Sequence, residues 1–239
     1  MFYYRPADER GHTKTDWLDS YHSFSFGQYF DPGFMGFSSL RVINDDVVAP
    51  GKGFGTHPHD NMEIISVILS GKLEHKDSLG NGSVISAGEI QKMTAGKGVT
   101  HSEFNPSPKD PVHFLQIWII PNVQDLEPGY EQKKFSAAKT RNKLGLIVSP
   151  DAKDGSVQIH QDAYIYRCLL ENGKKVSYDV TIDRAIWIQM TGGSADVNGT
   201  RLEEGDGLAV FAEKNKLEIT GIDDTASFLL FDLQQPTRA

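Results

Sequence analysis

The sequence predicts an all-β chain built as two packed β-barrel domains of the double-stranded β-helix, jelly-roll-like type. Three observations predict it. First, 23 glycines and 11 prolines fall as punctuation along 239 residues, between short runs rich in β-branched and aromatic side chains. Second, Ile64–Leu69, Val112–Ile120, Tyr164–Leu170, Ala185–Met190 and Phe228–Leu233 carry apolar residues on both faces, as sheet packed on sheet requires. Third, Ile68-Leu69-Ser70-Gly71 resembles Gln189-Met190-Thr191-Gly192, and Ser86-Ala87-Gly88-Glu89 resembles Glu203-Glu204-Gly205-Asp206. These pairs lie about 117–121 residues apart, an internal repeat of domain length.

The elements follow in order. Phe24, Phe26, Tyr29, Phe30 and Phe34 crowd one segment ahead of the first strand that carries chemistry, and are expected to plug one barrel against the other. The cluster Asp77–Gly82 is a turn. Tyr130–Lys139 is expected to form a short connecting helix. The charge- and proline-rich stretch Asn122–Pro150 holds the boundary, giving domains 1–135 and 136–239. In the second domain, Asn198-Gly199 between two short alternating runs is the strongest hairpin signal of the chain.

Chemistry concentrates in two short pairs, His57-Pro58-His59 and His101-Ser102-Glu103. In a strand, residues i and i+2 point to one face, so each pair can aim both side chains at one point. Three imidazoles and a carboxylate suit a divalent transition metal, and four protein ligands leave open positions for reaction. A lone H-x-H is weak: eight histidines in 239 residues give ~0.3 such pairs by chance, so the context must carry the match. Shifting these positions by the repeat offset lands near Tyr178, Val180, Glu218 and Thr220, so a single metal site in the first half is expected.

Composition excludes several classes. A net charge of −8 with scattered Lys and Arg argues against a nucleic-acid surface. One cysteine, Cys168, rules out an intrachain disulfide and is expected as a buried small hydrophobe. No segment has the apolar length of a membrane span or a signal sequence, so a cytoplasmic, membrane-free protein is expected, as a monomer. The zinc-deaminase signature needs P-C-x-x-C, which one cysteine cannot supply. Neither H-E-x-x-H, G-x-S-x-G nor a P-loop occurs.

The context of the two pairs is specific. Gly51, His57, His59 and Glu63, then Gly98, His101 and Asn105, read close to the two motifs of the cupin superfamily. Gly71 closes the first motif one residue late, and Gly96 stands where the second has proline. The stretches His22–Asp46, Gly53–Ile64, Ser70–Gly82 and Met93–Asn105 resemble the pirin family, in particular bacterial pirin-like quercetin 2,3-dioxygenases. The likeness continues through Ala185–Gln189 and covers nearly the whole chain. The resemblance implies a bicupin with one divalent metal in the first domain, held by His57, His59, His101 and Glu103. Iron(II) is the expected ion, and Zn, Ni, Mn or Cu suit the same ligands. It also implies opening of the heterocyclic ring of a flavonol such as quercetin by dioxygen, with release of carbon monoxide. Glu103 is the expected base for the flavonol hydroxyl. Two other classes are consistent with the same ligands: a non-enzymatic metal-dependent redox sensor that binds a protein partner, and a cupin isomerase or binding domain with a structural metal.

The remaining acids and histidines have plainer expectations. Glu63 is expected outside the ligand set. His22 and His160 are expected as structural histidines, His113 as a core histidine, His75 at the surface or behind the ligands, and His12 near a mobile terminus.

Overall fold

The computed structural model describes residues 2–211 and 215–235, so the last four residues of the second expected domain lie outside it. The first half of the chain contributes β1 (Phe2–Arg5), β2 (Gly11–Lys14), β3 (Leu18–His22), β4 (Leu40–Val48), β5 (Gly53–His59), β6 (Glu63–Ser70), β7 (Lys72–Asp77), β8 (Gly82–Ser86), β9 (Glu89–Thr94), β10 (Val99–Phe104), β11 (Val112–Ile119) and β12 (Gly129–Lys134). A single helical turn, α1 (Ala137–Thr140), leads to β13 (Gly145–Ser149), β14 (Val157–Gln158), β15 (Ala163–Glu171), β16 (Lys175–Val180), β17 (Arg184–Gly192), β18 (Ala195–Val197), β19 (Thr200–Leu202), β20 (Gly207–Phe211), β21 (Asn215–Gly221) and β22 (Thr225–Gln234).

Each half is a two-sheet jelly roll. A seven-stranded sheet, β12-β9-β6-β11-β4-β3-β2, faces a four-stranded sheet, β5-β10-β7-β8. In the second half β1-β20-β17-β22-β15-β13-β14 faces β16-β21-β18-β19. The inner four strands match one for one in order, so the sequence repeat is a repeat of architecture. The chain is a bicupin.

The two seven-stranded sheets also pack back to back. The largest core cluster joins Ile43, Ile65 and Ile117 of one sheet to Ile165, Trp187 and Phe231 of the other. This is why these strands are apolar on both faces: one face fills a jelly roll and the other fills the seam. The aromatic segment splits accordingly. Phe24 and Phe34 enter the seam, and Phe24 meets Trp187 at 4.9 Å between ring centres. Phe26 turns instead to Trp118 beside the histidines, and Phe30 stays 71% exposed.

The connecting helix is shorter than expected. Tyr130 and Gln132 pair with Met93 and Gln91 as an edge strand, which leaves only Ala137–Thr140 helical. A one-turn helix has little to offset the cost of its nucleus, whereas β9 offers a ready ladder. The hairpin at Asn198-Gly199 forms with φ of 48° and 86°, the paired positive values of a type I′ turn.

Candidate metal centre

Strand pairing builds the centre. His101 on β10 lies directly opposite His57 on β5, and His59 lies opposite Val99. His59 meets His57 and His101 edge to face and His57 is tilted against His101, with ring centres 4.5–4.9 Å apart. One ligand nitrogen from each falls within 4.8 Å of the others. His57 Nδ1–H donates to the Gly55 carbonyl at 2.8 Å, which leaves Nε2 bare. Nε2 of His59 and both ring nitrogens of His101 are buried without a partner among the described residues. Buried polar atoms are almost always satisfied. Two buried unsatisfied imidazoles converging with the free Nε2 of His57 therefore fit a metal ion. Burial, and then the neighbouring rings, hold His59 down to about 4 and His101 down to about 3. Both are neutral at pH 7, the form that ligates.

Glu103 sits beside this trio rather than within it. A bulge between His101 and Glu103 shifts the register of β10 against β5. The Glu103 carboxylate groups with His75 and His101 within 4.8 Å. It accepts hydrogen bonds from Ser66 (3.2 Å) and Gln91 (3.1 Å) at Oε1 and from Gln116 (2.6 Å) at Oε2. His75 is fully buried, behind the ligands rather than at the surface. Its Nε2–H donates to Asp77 at 3.1 Å, and its ring stacks on Tyr130. Leu73, His75 and Asp77 share the inner face of β7, while Glu74 and Lys76 point out. That alternation was the available signal for it.

A cavity of about 490 Å³ opens on His57 and His59 of the trio. Leu18, Phe26, Phe54 and Trp118 supply its apolar wall, and Thr13, Ser20, His22, Asn44, Asp46 and Gln116 supply polar groups beside His57 and His59. Such a mix suits a flat aromatic ligand bearing oxygen substituents. His22 Nδ1–H donates to Asn44 at 2.8 Å, so this structural histidine also lines the cavity. Sequence reasoning missed Asn44, Asp46 and Gln116, because polar residues in an apolar strand pattern show no partner until the strands pair.

The other candidates lie elsewhere. Glu63 points toward the second half, accepting from His160 there at 3.0 Å and from Thr94 of its own half at 3.1 Å. His113 faces away from the trio and donates to Asp45 at 2.6 Å; it is part-exposed, not a core residue. Burial pushes His113 down, but the Asp45 bond and charge outweigh it and raise it overall. His12 stacks on Tyr21 and donates to Asp19. Cys168 is buried, and burial pushes its thiol up to about 12. In the second jelly roll, Tyr178 on β16 stands near the place His57 has on β5, and its hydroxyl donates to Asp232. Leu217, Ile219 and Val180 fill the rest with hydrocarbon.

Comparison with known proteins agrees with this geometry. The Pirin family model matches residues 4–119, and a model described as the quercetinase C-terminal cupin domain matches residues 146–233. The chain belongs to the pirin family. It is 47% identical over 233 residues to quercetin 2,3-dioxygenase of Escherichia coli K12, covering 98% of this chain and 99% of that protein. It is 35% identical over 229 residues to a pirin-like protein of Caulobacter vibrioides, covering 95% and 97%. The crystal structure of YhhW from Escherichia coli superposes with a TM-score of 0.94 at 46% identity, covering all of both chains. A structure of bacterial pirin YhhW in complex with nickel(II) superposes at 0.92 with 46% identity, covering 98% of this chain and all of that one. At this identity over nearly the whole length, the oxidoreductase class of these pirin relatives extends to this protein. A divalent metal fits both the nickel-bound relative and the histidine trio. No helix among the described residues is long and apolar enough to cross a membrane.

Proposed function

We propose that this pirin is a metal-dependent dioxygenase that opens the heterocyclic ring of flavonols such as quercetin with dioxygen and releases carbon monoxide. The observation that carries the reading is the convergence of three imidazoles, two of them buried with unsatisfied nitrogens, beside an aromatic-lined cavity that His57 and His59 border. The named activity of the 47% identical relative supports it. His57, His59 and His101 would hold the ion, with Glu103 beside them as the fourth ligand. Iron(II) is our choice of ion. The two domains divide near residues 135 and 136, with the ion in the first, and the protein works as a cytoplasmic monomer.

The bound ion supplies a Lewis acid, with open positions, against which an ionised flavonol hydroxyl can sit. The chain does the rest. Phe26, Phe54 and Trp118 sandwich the flat rings and exclude water. Gln116, Gln91 and Ser66 fix the rotamer of Glu103, as supporting residues do for ligands elsewhere. Those three donors also stabilise the ionised carboxylate, which makes Glu103 a poor base.

The test is oxygen uptake together with loss of the flavonol absorbance band. Protein is reconstituted separately with iron(II), nickel, manganese, copper and zinc, beside the His57→Ala/His101→Ala variant. Turnover with a redox-capable ion that vanishes in the variant is the expected result. Stoichiometric metal binding without turnover by any ion would overturn the reading in favour of a regulator.

A further inference from the structure

Asp46 shares the cavity with His57 and His59 but belongs to neither metal-ligand grouping. It is 2% exposed, on the inner face of β4. Its Oδ1 accepts the hydroxyl of Ser20. Its Oδ2 takes no hydrogen bond from any described residue. That oxygen is not among the fully enclosed unpartnered atoms of the described residues, so it opens on the cavity that Asp46 lines, where a ligand can reach it. Glu103 is in the opposite condition, with three donors on its two oxygens. Donors to a carboxylate stabilise its charged form and make it a poor proton acceptor.

We propose that Asp46 accepts the proton of the ligand hydroxyl, a phenol or enol, that ionises as the ligand settles against the three imidazoles. This rests on the flavonol reading for the natural ligand, but the chemistry asks only for an acidic aromatic hydroxyl. The transfer balances without an oxidant or reductant. The ligand O–H bond breaks and leaves its electron pair on the ligand oxygen, while a new O–H bond forms on Asp46 Oδ2. One negative charge moves from Asp46 to the ligand, and the proton returns to product before release.

The surroundings suit the task. In the metal-free chain burial raises the Asp46 carboxyl to about 7, with the charges of Asp45 and Glu103 adding to the rise and the Ser20 bond and His113 opposing it. An acceptor poised near the working pH is both ionised in part and basic enough to take a proton.

The test is anaerobic binding of quercetin, and separately of 4-nitrocatechol, to the metal-loaded protein. Both probes change absorbance on losing a proton. The wild-type chain is expected to hold either probe as the anion near neutral pH. In Asp46→Asn the pH midpoint of the anion band moves up by about one unit or more at unchanged metal content, and flavonol turnover falls about 100-fold. An Asp46→Asn protein that keeps both the band and its midpoint overturns the proposal. Should that variant not fold, Ser20→Ala removes the donor that holds Asp46 down and makes it the better proton acceptor, so the midpoint must fall; a fixed midpoint overturns the proposal equally. Asp46-dependent ionisation of 4-nitrocatechol, with no binding of quercetin, upholds Asp46 and overturns the flavonol reading. Quercetin turnover untouched by Asp46→Asn does the reverse.

Discussion

Asp46 and Glu103 both reach the interior of the first jelly roll, and their neighbours set them apart. Glu103 is held by three donors, whereas Asp46 has one and a bare oxygen. The difference has a consequence for stability that needs no ligand. Between the ordinary value near 3.8 and the folded value of about 7, the native state of the metal-free chain keeps a proton on Asp46 that the unfolded state has lost. Where the native state binds more protons, stability falls as pH rises. The contribution of Asp46 is therefore largest below pH ~4 and is lost as pH rises through ~7. Asp46→Asn removes it, so the metal-free variant should lose less stability than the wild type between pH 5 and pH 8. Thermal melts of both proteins at the two pH values check this, and parallel losses would contradict the buried, proton-holding state of Asp46.

At the scale of elements, the centre is a product of strand period and register. His57 and His59 are legible in the sequence because i and i+2 share a face, and pairing in the structure sets His101 against His57. What was not legible is the bulge after His101. It moves Glu103 opposite Phe54 on one side and His75 on the other, and no local residue preference announces it. His75 was left between the surface and a place behind the ligands for a related reason: a short strand before a turn looks peripheral until its partner strand covers it. Gly96 shows the opposite case, a departure from the cupin pattern that the backbone explains. Its φ is +48°, which a proline ring fixed near −65° cannot adopt. A Cβ there would also lie 1.9 Å from the Leu126 carbonyl oxygen. Gly96→Ala should destabilise the protein by about 3 kcal/mol, combining positive-φ strain with a backbone clash. The turn also ties Asn61, two residues past His59, through its N–H to the Gly96 carbonyl at 2.9 Å. Urea unfolding and metal titration of this variant should weaken together. A stable variant with normal metal affinity would show that the loop relaxes at no cost to the centre.

For the whole molecule, the repeat read from a few glycines proved to be a repeat of sheet order, and the second jelly roll has kept the fold without the ligands. The sequence could not show how tightly the halves are joined. β1 comes from the start of the chain but pairs with β20 of the second half, and Tyr4 donates to Asp206 at 2.7 Å. Ser23 donates to Gln189 across the same seam, at 3.0 Å, and the Trp187 indole bonds Gln189 from beneath. Trp187 belongs to the second half yet packs on Phe24 and Phe37 of the first. If the seam is the shared core of both halves, damage to it must destabilise the half that carries the centre. Trp187→Ala should cost about 3–5 kcal/mol by the usual price of deleting a buried indole. The loss should appear in the first half as well as the second. Trp17 and Trp118 both lie in the first half, so in this variant every remaining tryptophan reports on that half alone. Their fluorescence in a urea titration should move to a lower midpoint, in step with the backbone signal from circular dichroism. A fluorescence midpoint left at its wild-type position, with only the dichroism shifted, would mean that the metal-binding half stands without its partner.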